Sequence, residues 1–173
     1  LILTSILFFN FLKKEKDHQF AVLWILFFLT LPPLLKKSRF PNIDLPLMFF
    51  TTMSLVFAYL AISKEKGRYW LSCGMMFGLS LLTKGPLALQ IALAIFLFLI
   101  VEKKQYLFKK LLPWLSFFLG FIIFSLWPLS LKVFGRFDIF ENWAHFIFIE
   151  SILEGRGEKS PFLTYFQFLI LNA

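Results

Sequence analysis

The segment Ser80-Leu81-Leu82-Thr83-Lys84-Gly85-Pro86-Leu87-Ala88-Leu89 lies in the middle of Tyr69–Val101, a run of 33 residues in which Lys84 is the only charge. As one helix this run would extend about 50 Å, too long for a hydrocarbon core of about 30 Å. Glycine ends helices because it tolerates positive φ, and proline begins them because its φ is already helical. Gly85-Pro86 therefore predicts the turn of a tight helical hairpin, with spans over 69–83 and 86–101 and Lys84 at a membrane face.

Outward from this hairpin the charges divide the chain in the same way. Uncharged, mostly aliphatic or Phe-rich runs cover 1–12, 19–35, 45–62 and 111–131, and another begins at Phe162. With 59% hydrophobic residues, 26 phenylalanines, only 16% charged residues and a mean hydropathy of +0.77, the composition excludes an ordinary water-soluble domain. The reading is an all-α, polytopic transmembrane helix bundle, one domain over 1–173 with about six spans and a seventh cut short from 162. The chain opens inside one apolar run at Leu1 and closes inside another at Leu169–Ala173, so it reads as an internal piece of a longer protein. Residues 1–12 have no charged n-region and no small-residue cleavage site, which favours a spanning helix over a signal peptide. The single Cys73 has no partner for a disulfide or a CxxC site.

If the chain crosses at every run, loops 13–18, 63–68 and 102–110 share one side, while 36–44, the Lys84 turn and 132–161 share the other. The first side carries ten Lys and Arg against four acids, net +6, in short loops; the second carries eight against six, net +2. The denser basic side belongs in the cytoplasm and the acid-rich side outside. The overall charge of +8 comes from lysines flanking apolar runs, so nucleic acid is not an expected partner. Residues 137–153 differ from the spans. Asp138, Glu141, Asn142 and His145 recur at i, i+3, i+4 and i+7, which predicts an amphipathic helix lying in the membrane interface.

Chemistry has few places to reside. Asp44 abuts the apolar run at Leu45, where an acid is costly unless used or paired, and Arg39 offers a partner. It is either a catalytic or binding group or the N-cap of a helix. Lys84 either snorkels to headgroups or presents a cation to an anionic group beside the helix N-terminus opened by Pro86. Glu141 and His145 at i, i+4 form two metal ligands at most, and more simply a structural pair. No Walker loop, HExxH, GxSxG or dinucleotide fingerprint occurs.

Three passages combine into a family pattern: Ser38-Arg39-Phe40-Pro41-Asn42-Ile43-Asp44-Leu45-Pro46-Leu47-Met48-Phe49-Phe50, Leu81-Leu82-Thr83-Lys84-Gly85-Pro86, and Pro161-Phe162-Leu163-Thr164-Tyr165-Phe166. Their order and spacing resemble the polytopic GT-C glycosyltransferases of the protein O-mannosyltransferase and lipid A aminoarabinose transferase type. The resemblance implies inverting transfer of a sugar from a polyprenyl-phosphate carrier to a lipid or protein acceptor, at the extracytoplasmic face of the inner (plasma) membrane. By position, Asp44 would be the second acidic residue of the site and catalytic. Arg39 and Lys84 would hold the donor phosphate, with Arg156 and Tyr165 as further substrate-binding residues. The acidic residue assigned as general base would precede Leu1, so this piece is not expected to turn over alone. Members of that family often have His-x-Pro-Phe where this chain has Lys159-Ser160-Pro161-Phe162. No cofactor is firmly implied, and a divalent metal is left open. The rival reading is a transporter or flippase for a lipid-linked sugar, in which Asp44 and Lys84 line a route. A structural subunit would instead scatter Arg39, Asp44 and Lys84 in different directions.

Overall fold

The structure, a computed structural model, describes residues 1–31 and 43–145, and no strand occurs among them. The chain divides into two compact units, Leu1–Ser125 and Leu126–Ala173. In the first, α1 (Ile2–Glu15) packs on α2 (His18–Thr30), and α3 (Asp44–Lys64) packs along its whole length on α4 (Gly67–Lys84). A 3-10 turn, Gly85–Leu89, leads into α5 (Gln90–Val101), and another, Gln105–Lys109, leads into α6 (Leu111–Val133). Helix α3, the helical stretch Gly67–Val101 and α6 are each long and apolar enough to cross a membrane. The fold is thus an all-α membrane bundle, as composition and run lengths require.

Two local departures from the expected boundaries have simple causes. The apolar run 19–35 predicts a longer helix than α2, which stops at Thr30 with Leu31 extended at ψ 116°. Pro32 and Pro33 follow, and a residue before proline is driven out of the α region by the pyrrolidine ring. At 13 residues α2 is about 20 Å long, short of a full hydrocarbon core. After Gly85 the α-helix does not resume at Pro86 but at Gln90, five 3-10 residues later.

The hairpin itself is present. Gly85 has φ 56°, which any side chain would strain, and Pro86 sits inside the tight turn it opens. Reversal is evident at the far ends of the two arms. Tyr106 Oη, beyond α5, donates to Glu65 Oε1 before α4 at 2.6 Å, and Lys104 Nζ donates to the Ile62 carbonyl at 3.1 Å. Lys110 reaches the other Glu65 oxygen at 3.5 Å, and Lys64 pairs with Glu15 at 2.9 Å. Loops 13–18, 63–68 and 102–110 therefore meet on one face, as the alternation of runs predicts. The Tyr106 bond, helped by the Lys110 charge, holds the Glu65 carboxyl below the usual carboxylate range, and the same bond raises the Tyr106 phenol.

Helices in hydrocarbon gain nothing by hiding apolar surface from lipid, so close packing and buried hydrogen bonds must hold them together. Between α3 and α4, Ser54 Oγ donates to the Cys73 carbonyl at 3.0 Å with both residues fully buried. Between α4 and α6, glycines do the work. A Cβ on Gly74 would collide with the Ser116 carbonyl, and one on Gly78 would lie 2.8 Å from the Gly120 carbonyl. Phe77, fully buried between them, meets Phe117 and Phe121 edge-on at 5.3 and 5.7 Å. Outward-facing residues of α6 such as Leu115 and Phe118 are exposed and apolar, the surface a lipid-facing helix needs.

In the second unit α6 ends at Val133, Gly135 turns with φ 67°, and α7 (Phe137–His145) follows. Trp127 meets Phe140 and Trp143 edge-on at 5.6 and 5.2 Å, fixing α7 to the last turns of α6 through one aromatic face. Helix α7 covers the first part of the amphipathic segment expected over 137–153; residues 146–153 lie outside the described residues.

The glycine contacts are directly testable. Gly74→Ala forces backbone apart and is expected to destabilise the bundle by about 1–3 kcal/mol or more. Gly67→Ala meets only the movable Leu112 side chain and should stay within about 0.5 kcal/mol of wild type. Thermal unfolding in detergent, followed by tryptophan fluorescence, checks both; equal melting points would disprove the close-contact account.

Candidate functional site

The site follows from helix lengths. Helices α3 and α4 are joined by Glu65 and Lys66 alone, with Glu65 in the left-handed conformation at φ 51°, so they must run antiparallel. With 21 and 18 residues they extend about 32 and 27 Å from that turn. The first residue of α3 and the last of α4 consequently arrive side by side at the opposite end. Those residues are Asp44 and Lys84. Lys84 Nζ donates to Asp44 Oδ1 at 2.5 Å across 40 residues of sequence.

Each charge also sits where its own helix favours it. An acid in a first turn faces the positive end of the helix dipole, and a cation in a last turn faces the negative end. The choice left open for Asp44 resolves against a capping role: Ile43 is the N-cap, no side chain caps the helix, and the carboxylate reaches Lys84 instead. Lys84 likewise does not simply snorkel. The pair is only partly buried, with side-chain exposures of 37% for Lys84 and 21% for Asp44, so it remains reachable from outside.

A cavity of about 350 Å³ opens beside Asp44, between α3 and the start of α5. Leu47 and Met48 form its apolar wall, and Thr51, Thr52 and Gln90 supply hydroxyls and an amide. Sequence reasoning missed these three. Their signal was available: Thr51 and Thr52 stand seven and eight residues after Asp44, two helical turns along the same face, and Gln90 is the only hydrogen-bonding side chain between Gly85 and Val101. A larger cavity of about 660 Å³, lined by Leu93, Phe96, Trp114, Phe117 and Phe118 among others, lies between α5 and α6 and offers a bed for hydrocarbon rather than chemistry.

Of the five expected site residues, the structure brings Asp44 and Lys84 together; Arg39, Arg156 and Tyr165 lie outside the described residues. Among the described residues no three His, Cys, Asp or Glu side chains gather into a metal site. Chemically, the described residues offer a carboxylate at the rim of a small pocket with an apolar wall and neutral polar groups, and an ammonium paired to that carboxylate.

The Asp44–Lys84 contact should appear as coupling. A double-mutant cycle of Asp44→Asn and Lys84→Ala is expected to give about 0.5–3 kcal/mol in detergent unfolding. Additive effects would show that the two side chains do not interact.

A family model described as dolichyl-phosphate-mannose-protein mannosyltransferase matches residues 1–128, a span that contains Asp44, Lys84 and the whole cavity beside them and stops short of the Pro161–Phe166 passage. No curated protein and no solved structure matches the chain.

Proposed function

Since the chain belongs to the dolichyl-phosphate-mannose-protein mannosyltransferase family, whose members are membrane glycosyltransferases that use a polyprenyl-phosphate sugar, we propose that the Asp44–Lys84 rim is where it handles its donor. The observation carrying this reading is the ion pair itself, placed at the end of the bundle opposite the basic loop cluster and beside a polar pocket. In sugar transfer from a phosphate carrier, the bond from the anomeric carbon to the phosphate oxygen breaks as the bond to the acceptor forms. Negative charge grows on the departing phosphate and positive charge on the sugar ring. Lys84 answers the first and the Asp44 carboxylate the second, with the acceptor proton going to a general base other than Asp44.

The basic loops carrying Lys13, Lys66, Arg68 and Lys103 favour the cytoplasm, which supports the reading that Asp44 and Lys84 work at the extracytoplasmic face of the plasma membrane. The acceptor is a lipid or protein that reaches that face. Arg39, Arg156 and Tyr165 remain proposed substrate contacts, and metal dependence is open to direct titration. The transporter reading has less in its favour: one broken hairpin, at Gly85–Leu89, accounts for the helix interruption, and no repeated counterpart stands in the described residues.

Two measurements test the proposal. Transfer of labelled sugar from polyprenyl-phosphate donors, in membranes containing the full-length parent at matched expression, should fall about 10²–10³-fold in Asp44→Asn and in Lys84→Ala. Unchanged transfer in both would make the pair structural, and no transfer by wild type from any donor would turn the assignment toward transport. In a Cys73→Ala background, cysteines at Lys66 and Lys103 should label only from the cytoplasm and one at Ile43 only from outside; the reverse pattern overturns the proposed face.

A further inference from the structure

The groove between α5 and α6 has a chemistry of its own. Among the described residues its lining is apolar apart from one indole, and that N–H is already used: Trp114 Nε1 donates to the Phe108 carbonyl at 2.9 Å. Phe96 and Phe108 meet at 5.3 Å, so α5, the loop after it and α6 together brace the mouth. Depth follows from helix rise. On α6 the lining runs from Pro113 to Phe121, all within about 15 Å of the helix start at Leu111, and opposite it from Leu89, just before α5, to Leu99 over a similar length. A hydrocarbon core of about 30 Å gives each leaflet about 15 Å. The groove therefore occupies the leaflet on the side of the basic loops, away from Asp44 and Lys84.

Positive charge stands at its mouth. The loop joining α5 to α6 carries Lys103, Lys104, Lys109 and Lys110 against Glu102 alone. Two of these lysines are committed: Lys104 donates to the Ile62 carbonyl, and Lys110 pairs with Glu65 and lies 5.3 Å over the Tyr106 ring. Lys103, two residues past the end of α5, and Lys109, next to Phe108 of the lining, are exposed and have no hydrogen bond or ion pair among the described residues. The first turn of α6 beside them holds no acidic residue, so nothing in the helix itself neutralises the positive end of its dipole. A further transmembrane helix suits this face poorly, since close helix contacts use small residues and the exposed lining here is Leu93, Phe96, Trp114 and Phe118. A hydrocarbon chain conforms to such a surface, and a lipid phosphate answers the lysines.

We propose that this groove binds an anionic diacyl phospholipid from the leaflet on the basic-loop side, with an acyl chain along Phe96, Trp114 and Phe118 and the headgroup phosphate between Lys103 and Lys109. The site is separate from the donor site and does not rest on the donor reading, because this lipid enters at the opposite face. Its role is to tie helices together. The groove parts α5 from α6, and α6 is the helix that receives Gly74 and Gly78 of α4, so a lipid seated there joins α5 to the tightest contact of the bundle.

The test is lipid retention by the full-length parent after extraction from membranes holding phosphatidylglycerol, phosphatidylcholine and polyprenyl phosphate in equal amounts, read by native mass spectrometry. Wild type should keep phosphatidylglycerol over phosphatidylcholine by about tenfold, as two lysines at headgroup level allow. Lys103→Gln and Lys109→Gln should each cut that preference about three- to fivefold, and the double variant should lose nearly all of it. Leu93→Trp, which fills the groove and leaves both lysines in place, should lose the bound phosphatidylglycerol as well. Equal retention of the two phospholipids by wild type, an unchanged preference in the double lysine variant, or full preference in Leu93→Trp would each overturn the inference. So would loss of phosphatidylglycerol to polyprenyl phosphate in the competition, which would make the groove the bed of the donor's own chain.

Discussion

Everything in this bundle depends on how closely helices approach one another in a solvent that does not drive them together. Lipid chains are as apolar as leucine, so burying leucine against leucine yields little, and only packing and internal hydrogen bonds distinguish the folded arrangement. Gly74 and Gly78 on α4 bring that helix against the backbone of Ser116 and Gly120 on α6, with Phe77 locked between Phe117 and Phe121. On its other side α4 meets α3 through Ser54 and Cys73. Helix α4 is therefore the member whose position is fixed from two directions. Its last residue is Lys84.

Because α4 is fixed, the ion pair at its end is a matter of register rather than chance. The two-residue link at Glu65 and Lys66 leaves little freedom for α3 to slide, and comparable helix lengths carry Asp44 to the level of Lys84. A shift of one residue along α3 would move Asp44 by about 1.5 Å and turn it by about 100°, away from its partner. Interlocking of the opposite face by Glu15, Lys64, Glu65, Lys104, Tyr106 and Lys110 resists such a shift. Contacts at the far end of the bundle thus set the geometry of the Asp44–Lys84 pair.

Much of this was legible in the residues themselves. Uncharged runs located the helices, Gly85-Pro86 located the reversal, and the alternation of loops predicted which would meet. The boundaries that failed were those where a local rule overrode periodicity, as at Leu31 before Pro32, or where 3-10 geometry replaced an immediate helix start after Pro86. Asp44 and Lys84 stood out because charges beside apolar runs are conspicuous. Thr51, Thr52 and Gln90 did not, because a hydroxyl or amide within a span has several ordinary explanations, and only the cavity shows that three of them share one space. The glycine contacts were equally hidden: Gly74, Gly78 and Gly120 gain meaning only when α4 and α6 are known to be neighbours.

The two ends of the bundle differ in a way that bears on how a phosphate could be bound. One end spreads its charges over several mutually reinforcing contacts. At the other, Lys84 and Asp44 meet while still partly exposed. A fully buried pair would be expensive to open, since separating it leaves a charge stranded in low dielectric. An exposed pair contributes little and opens cheaply. An intermediate pair can be exchanged: under the proposed function, Lys84 would move from carboxylate to phosphate oxygen without losing an anionic partner, and Asp44 would keep the favourable field of its helix N-terminus while turning toward the sugar. Under the proposed function, partial burial at this one position is the property that would let a resting ion pair act as a receptor for an incoming anion.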